Sequence, residues 1–237
     1  MNSRTCFIGS PARLTDQLVI TATEHGVGSM APKVRRHRPD RAADLCGVDT
    51  YRRNSAVDAA MMLAVSGGYE AVQVRAVAAQ VGIGVSTLYR YFPSKIHLLV
   101  SALTREFQEF GDSRDWTVTA STPRERLRLL VDCLHAEWQQ DPRLTEAVTR
   151  AFVLADHTAA TATDEAIDVI EGLLARTLSG GEPTVRNQRL AGLIADVWLA
   201  NLAAFSSGRI SGEVARDRID RAIDRFVDAT HGDPEMG

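Results

Sequence analysis

The sequence predicts an all-α protein, and its composition and pattern both support this. Apolar residues recur at helical spacing in about nine segments, and strand-type alternation is scarce. Aromatic residues make up only 6% of the chain, and only 8 prolines are available to interrupt helices. Hydrophobic residues at 45% and charged residues at 24% are typical of a globular protein and argue against a wholly disordered or membrane-embedded chain.

The chain has 237 residues, which is enough for one large domain or two small ones. We expect a flexible arm over residues 1–50, an N-terminal helical domain over 51–111, a larger helical domain over 112–232 and a tail over 233–237. The boundary near residue 111 is placed there because Gly111 to Thr122 is polar and lacks periodicity.

The expected arm contains a basic run, Lys33-Val-Arg-Arg-His-Arg-Pro-Asp-Arg41, and shows no sustained periodicity. Such a run is either a solvated tract or an arm that binds the DNA minor groove or phosphates. Met30 lies just before the run, so the true start is open between Met1 and Met30.

Two longer helices are expected in the N-terminal domain. The first begins near Asn54 and ends at Gly67-Gly68, where glycines allow a turn. Pro93 disfavours a helical conformation in the residue before it, and Ser94 can cap the second helix, which runs from Lys95 to about Phe110.

Between them, two short helices, Val74 to Val81 and Val85 to Tyr91, flank the turn Gly82-Ile-Gly84. This is the helix-turn-helix arrangement that seats its second helix in the DNA major groove. By spacing alone the same pattern also occurs in ordinary helical bundles. Leu88 and Phe92 are expected to pack inward.

The side chains of this segment suit DNA contact. The second short helix combines a small start with hydroxyl groups that reach phosphate and apolar carbons that touch a thymine methyl: Val85, Ser86, Thr87, Tyr89 and Tyr91. Arg75 can bind a guanine edge, and Lys95 can hold a phosphate together with the amides of its helix N-terminus. The net charge of -3 excludes a uniformly basic protein, so a basic DNA-binding surface must be local.

Three stretches, Gly68-Tyr69, Val74-Arg-Ala-Val-Ala-Ala and Thr87-Leu-Tyr-Arg-Tyr-Phe-Pro-Ser-Lys95, resemble the DNA-binding domain of the TetR family of repressors. The resemblance covers about residues 54–105. It implies a homodimer on a palindromic double-stranded DNA operator and a helical C-terminal domain that binds an inducer. By position it implies DNA contacts at Gln73, Arg75, Val85, Ser86, Thr87, Tyr89 and Tyr91, with Lys95 on phosphate. Gly84 departs from the family, which often has a Ser or Thr cap there.

Segments in both domains resemble one subgroup of the family, the actinobacterial repressors of cholesterol catabolism. These segments are residues 67–73, 92–102, 144–152, 181–184 and 196–202. The resemblance implies repression of sterol-degradation genes that is relieved by a steroid acyl-CoA thioester. A TetR-like repressor that answers to another acyl-CoA or hydrophobic ligand remains an alternative, as does a hydrophobic-ligand carrier or enzyme without DNA binding.

The C-terminal domain is expected to contain five helices, at about Pro123 to Gln140, Pro142 to Ala155, Thr163 to Ser179, Val185 to Ser207 and Gly212 to Thr230. The apolar residues of the last two suit either the core of one subunit or contact with a second. The family resemblance favours a homodimer formed through these two helices.

An apolar ligand pocket with a few polar anchors would lie between the C-terminal helices. Candidate wall residues are Leu130, Leu134, Trp138, Val148, Phe152, Trp198 and Phe205, and candidate anchors are Arg150 and Asn201. Each of these side chains also fits plain core packing.

The sequence shows no motif of an enzyme and no ligand spacing of a metal-binding protein. The 6 histidines and 3 cysteines show no metal-ligand spacing, and no nucleophile elbow, P-loop or dinucleotide fingerprint is present. We therefore expect no catalytic residue, no metal and no cofactor. No secretory signal is apparent, and Asp196 interrupts the longest apolar stretch, residues 191–205, so we expect a cytoplasmic protein without a membrane span.

Overall fold

The computed structural model describes residues 41–228. The chain divides into two compact units, Met1–Thr50 and Tyr51–Gly237. Of the first unit only residues 41–50 are described, and they are helical. The basic run up to residue 40, the choice between Met1 and Met30 and the expected tail therefore lie outside the described residues.

The predicted all-α class is confirmed, because the described residues form nine α-helices and one short 3-10 helix, with no strand among them. The α-helices are α1 (Arg41–Ala71), α2 (Val74–Val81), α3 (Val85–Tyr91), α4 (Lys95–Asp112), α5 (Pro123–Trp138), α6 (Pro142–Val153), α7 (Ala160–Ser179), α8 (Val185–Ser206) and α9 (Gly212–Asp228). The 3-10 helix, His157–Ala159, precedes α7.

Helix α1 begins at Arg41, earlier than the start expected near Asn54. Residues 48–54 are all exposed, so this part of the helix buries no apolar face and leaves no periodic pattern in the sequence. Its end agrees with the prediction, because Gly67 and Gly68 have non-helical backbone angles that interrupt it.

The C-terminal helices pack around α4 and α7. Helix α4 lies against α6 and α7, and α7 also packs against α5 and α8. Three aromatic rings, Phe107, Trp138 and Trp198, join α4, α5 and α8 with centroid separations of 5.2–5.5 Å. Such tilted and edge-to-face contacts stabilise a core beyond the area they bury.

The segment between α4 and α5, expected to be a polar linker, is anchored to α4 by one aromatic residue. The buried Trp116 ring stacks on Phe110 with centroids 4.8 Å apart, and its Nε1 donates to the Phe110 carbonyl oxygen at 3.3 Å. A single buried ring in a polar segment produces no periodicity, so the sequence pattern did not reveal this contact.

Candidate functional site

Helices α2 and α3 form the predicted helix-turn-helix, and a left-handed glycine makes the turn. Gly82 has φ 71°, a conformation that side chains with a Cβ rarely adopt. The backbone N–H of Gly82 donates to Ala79 and that of Ile83 donates to Ala78, so two carbonyl groups at the end of α2 are satisfied. The chain can therefore reverse within three residues.

The two helices bury the residues expected to pack inward and expose most of the predicted DNA contacts. Val77, Leu88 and Phe92 are buried. The exposed candidates are Gln73, Arg75, Ser86 and Tyr89, and the half-buried ones are Val85, Thr87 and Tyr91. The outer surface of α2 and α3 thus presents two guanidinium groups, those of Arg75 and Arg90, together with two aliphatic hydroxyls and two phenols.

Two local contacts shape α3. The Gly84 carbonyl accepts hydrogen bonds from the Thr87 and Leu88 N–H groups, but no side chain in the described chain caps this helix N-terminus. This agrees with the departure from the family noted at Gly84. At the other end, Arg90 Nη2 donates to the Tyr91 hydroxyl at 3.3 Å and so orients that phenol.

Lys95, the predicted phosphate ligand, is the first residue of α4. Ser94 caps this helix, because its Oγ accepts a hydrogen bond from the His97 N–H at 3.0 Å. Lys95 Nζ lies 3.7 Å from the centroid of the Tyr69 ring. Partial burial lowers the pKa of Lys95, while the Glu70 carboxylate opposes that shift.

The Tyr69 ring also binds a cation from the C-terminal helices. Arg150 on α6 lies 4.5 Å from the ring centroid and pairs with Glu70 at 2.9 Å and with Glu146 at 3.6 Å. The Tyr69 backbone N–H donates to Glu146 Oε2 at 3.3 Å. Arg150, a predicted ligand anchor, therefore lies at the contact between α6 and the turn after α1. We call Tyr69, Glu70, Lys95, Glu146 and Arg150 the Tyr69 cluster.

A cavity of about 320 Å³ lies between α4, α6 and α8. Seven of its eight lining residues are apolar and one is a threonine: Leu103, Thr149, Phe152, Val153, Leu199, Ala200, Leu202 and Ala203. A volume of this size falls at the lower end of the range for small-molecule sites. Helix α6 thus lines the cavity through Thr149, Phe152 and Val153, and it contributes Glu146 and Arg150 to the Tyr69 cluster.

The predicted pocket residues are distributed over several environments. Phe152 lines the cavity. Leu130, Leu134 and Trp198 surround a residual space of only about 10 Å³, and Trp138 packs in the aromatic core.

The remaining pocket candidates lie on α6 and α8. Val148 is buried next to Thr149. Asn201 Nδ2 donates to the Val197 carbonyl within α8 at 2.7 Å, so the side-chain amide already has a partner. The Phe205 ring lies 6.3 Å from the His135 ring.

Sequence reasoning missed seven lining residues, namely Leu103, Thr149, Val153, Leu199, Ala200, Leu202 and Ala203. Only Thr149 has a feature that is visible in the sequence, because it is a polar residue among the buried positions of α6, which include Ala147, Val148 and Ala151. The other six are apolar residues with no feature that separates a cavity lining from ordinary core.

The described residues contain no group of three or more His, Cys, Asp or Glu side chains that could hold a metal ion. Helix α8 is long and apolar enough to cross a membrane by length and composition alone, and 28% of its most apolar window is buried inside the protein.

Two known protein families match this chain, one in the N-terminal part of the described residues and the other in the C-terminal part. The family described as "Bacterial regulatory proteins, tetR family" matches residues 56–102. The family described as "Tetracyclin repressor-like, C-terminal domain" matches residues 120–226.

Curated relatives match most of the chain. The HTH-type transcriptional repressor KstR of Mycobacterium tuberculosis is 47% identical over 173 residues, which cover 73% of this chain and 79% of the relative. KstR of Mycolicibacterium smegmatis is 45% identical over 186 residues, which cover 78% of this chain and 91% of the relative.

Solved structures share the fold at lower identity. A TetR transcriptional regulator from Rhodococcus sp. RHA1 has a TM-score of 0.68 and 23% identity, and the match covers 75% of this chain and 97% of that one. Thermus thermophilus FadR, solved in complex with lauroyl-CoA, has a TM-score of 0.60 and 16% identity, over 78% of this chain and 98% of that one.

Proposed function

The chain belongs to the TetR family of bacterial regulatory proteins, and we propose that it is a ligand-responsive repressor of sterol-catabolism genes. The observation that carries this proposal is the 44–47% identity to KstR repressors over 73–78% of the chain. Members of this family are DNA-binding regulators rather than enzymes. We place the protein in the cytoplasm, where its operator would be.

The DNA-binding part, which we keep at residues 51–111, reads the operator through α2 and α3. In this proposal α3 enters the major groove, where Ser86 and Thr87 bind phosphate and Tyr89 contacts a base or the backbone. Arg75 supplies a bidentate contact to guanine, and Lys95 supplies a phosphate contact from the start of α4. The exposure of Arg75, Ser86 and Tyr89 supports these roles.

We propose that the dimer forms through α8 and α9. Val185 and Leu193 on α8 and Val214 on α9 are large apolar side chains that are 62%, 48% and 40% exposed. A second copy of the chain would cover this surface, which accounts for the apolar character of α8 without a membrane. A two-fold dimer also matches a palindromic operator, since its two α3 helices enter successive major grooves.

The inducer in this proposal is a steroid acyl-CoA thioester that binds within residues 112–232. The apolar cavity between α4, α6 and α8 supports entry of a hydrophobic group. Because α6 contributes to both the cavity and the Tyr69 cluster, a ligand that favours a different position of α6 would also disturb the contact with the DNA-binding helices. A ligand shifts this equilibrium only by its differential affinity for the two states.

A gel-shift titration of the purified protein on the DNA upstream of its own gene and its neighbours tests the proposal. It is run without ligand, with cholestenoyl-CoA and with lauroyl-CoA. Arg75→Ala is included and should lose about tenfold or more in specific affinity, whereas Arg209→Ala, a change at an exposed arginine in the loop after α8, should bind normally.

Three outcomes are distinct. Specific binding that cholestenoyl-CoA releases and lauroyl-CoA does not would support the sterol repressor. Release by lauroyl-CoA, or indifference to both, would keep the repressor and reject the sterol ligand. Thioester binding without specific operator binding would favour the hydrophobic-ligand carrier.

A further inference from the structure

Five residues on one face of α8 are all exposed: Val185, Arg189, Leu193, Asp196 and Ala200. Their spacing of three or four residues places them in one stripe along the helix. Two of them, Val185 and Leu193, are large apolar side chains that are 62% and 48% exposed. We call these five residues the α8 stripe. The stripe lies within the surface that a second subunit covers in the proposed dimer.

The two charged residues of the α8 stripe have no oppositely charged partner. Neither Arg189 nor Asp196 forms a side-chain hydrogen bond or an ion pair with another residue in the described part of the chain. They are separated by about 10 Å along the helix axis, because they lie about two turns apart. In contrast, Arg216 of α9 pairs with Asp132 and Asp220. The two charges of the stripe are therefore available to a second molecule.

A second carboxylate lies beside the α8 stripe. Glu171 of α7 approaches α8 at Gly192, where a Cβ would lie 3.2 Å from Glu171 Oε1. Partial burial raises the pKa of Glu171, and the Asp196 carboxylate adds to the shift. Like Asp196, Glu171 has no ion pair with any residue that the structure describes. The negative charge near the middle of the stripe is thus uncompensated within one chain.

A two-fold axis makes the charges of the α8 stripe complementary to each other. Such an axis, perpendicular to a helix, relates the helix to an antiparallel copy, and residues equally far from the axis on opposite sides then face each other. An axis between residues 192 and 193 places Arg189 opposite the partner's Asp196, because both lie the same distance from it. By symmetry Asp196 lies opposite the partner's Arg189, so opposite charges meet twice.

The apolar residues of the α8 stripe favour the same axis. It places Leu193 opposite the partner's Gly192 and Val185 opposite the partner's Ala200, so each large side chain faces a small residue. An axis at residue 189 or at residue 196 would instead place two like charges against each other, which disfavours those registers. Both the charges and the side-chain sizes therefore select the axis between residues 192 and 193.

We infer that Arg189 and the partner's Asp196 form two symmetric ion pairs that fix the register of α8 against its copy and make the interface specific for a second copy of this chain. This inference rests on the proposed dimer and deepens it. The partner's Arg189 also compensates the negative charge that Glu171 shares with Asp196. A different regulator without the matching charges would leave these groups unpaired, so heterodimers with it are disfavoured.

The test uses two charge reversals in the full-length protein, Arg189→Glu and Asp196→Arg. Each variant alone should raise the dimer dissociation constant at least about tenfold, because like charges then face each other twice. An equimolar mixture of the two variants should form a heterodimer with a dissociation constant within about threefold of that of the original dimer, because all facing charges are then opposite. Sedimentation of mixtures in which one variant carries a fluorescent label measures the heterodimer.

Arg209→Glu, which changes the net charge equally at an exposed position in the loop after α8, should leave the dissociation constant unchanged. Single variants that weaken the dimer without recovery in the mixture would overturn the inference, while an interface on α8 with other ionic contacts would stand. Unchanged dissociation constants in both single variants would also overturn it. Leu193→Glu in the same assay then shows whether the proposed dimer surface on α8 fails as well.

Discussion

Lys95 Nζ lies 3.7 Å from the centroid of the Tyr69 ring, and Arg150 of α6 binds the same ring at 4.5 Å. Arg150 also pairs with Glu70 and Glu146, the two carboxylates that attract Lys95 electrostatically. The guanidinium therefore neutralises groups that would otherwise hold the Lys95 ammonium within the protein. Arg150 can therefore affect the proposed contact between Lys95 and a DNA phosphate, although Arg150 does not bind the phosphate itself.

Arg150→Gln should weaken operator binding about three- to tenfold and reduce its salt dependence, because Glu70 and Glu146 would then hold Lys95 more firmly. Since Arg150 lowers the pKa of Lys95, its removal should also raise that pKa, which can be followed by NMR of the lysine side chain. Fluorescence anisotropy at several salt concentrations measures the DNA affinity. When Lys95 is already replaced by Gln, Arg150→Gln should no longer weaken operator binding. An undiminished loss of affinity in that background would exclude an effect of Arg150 through Lys95.

Arg126 is a buried arginine that caps the end of α7. Its Nε donates to the Thr177 carbonyl at 2.8 Å and its Nη2 to the Leu178 carbonyl at 3.0 Å. Arg126→Met should lower the free energy of unfolding by about 2–4 kcal/mol, because these carbonyls lose a charged donor inside the protein. Urea denaturation at equal protein concentration measures the loss. Arg209→Met, at an exposed position, should change it by less than about 0.5 kcal/mol.

Gly180 and Gly181 form a matched pair after α7. Gly180 has φ 73°, and a Cβ at this position would lie 2.9 Å from Arg126 Nη2. Gly180→Ala should therefore destabilise the protein by about 1–2 kcal/mol, from backbone strain and displacement of the arginine. Gly181→Ala should have little effect, since nothing lies within 4 Å of its Cβ position. Equal effects in thermal unfolding would argue against this account.

The raised pKa of Glu106 predicts that the free energy of unfolding depends on pH. Burial raises its pKa from the usual 4.5 to about 7, and the nearby Glu109 carboxylate adds to the shift. The folded state therefore binds the proton more tightly than the unfolded state, so the destabilisation is absent below pH 4.5, grows as the pH rises and is complete above about pH 7.

Glu106→Gln should consequently be more stable than the original protein by about 1–3 kcal/mol at pH 8 and equally stable at pH 4. Urea denaturation across this pH range measures the difference. Glu182→Gln, a change in the exposed loop between α7 and α8, serves as the control. A constant difference across the range would contradict the raised pKa of Glu106.

Leu193 tests the proposed dimer surface on α8. Leu193→Glu places a charge on a face that we expect a second subunit to cover, so it should raise the dimer dissociation constant at least about tenfold. Sedimentation analysis over a range of protein concentrations measures this constant. Val118→Glu, at a position 72% exposed in the loop before α5, should leave it unchanged. An unchanged dimer dissociation constant in Leu193→Glu would show that the interface does not include this face of α8.

The sequence by itself determined the elements whose ends depend on local chemistry. The short helices α2 and α3 have the predicted bounds, Val74–Val81 and Val85–Tyr91, because glycines and a proline define their ends. Ser94 caps α4 as expected, since an N-cap hydrogen bond involves residues only a few positions apart. The start of α1 escaped prediction, and its residues 48–54, which are all exposed, leave no apolar pattern in the sequence.

Only the tertiary structure decided where the cavity lies and what the polar residues of α6 contact. Periodicity shows which side chains point inward, but it does not distinguish the tight packing around Leu130 and Trp198 from the gap beside Leu199 and Ala203. A cavity is a mismatch between side chains that distant helices bring together, so no local pattern records it. Arg150 likewise pairs with Glu70, a residue far away in the sequence, and only the packing of α6 against the turn after α1 brings the two charges within reach.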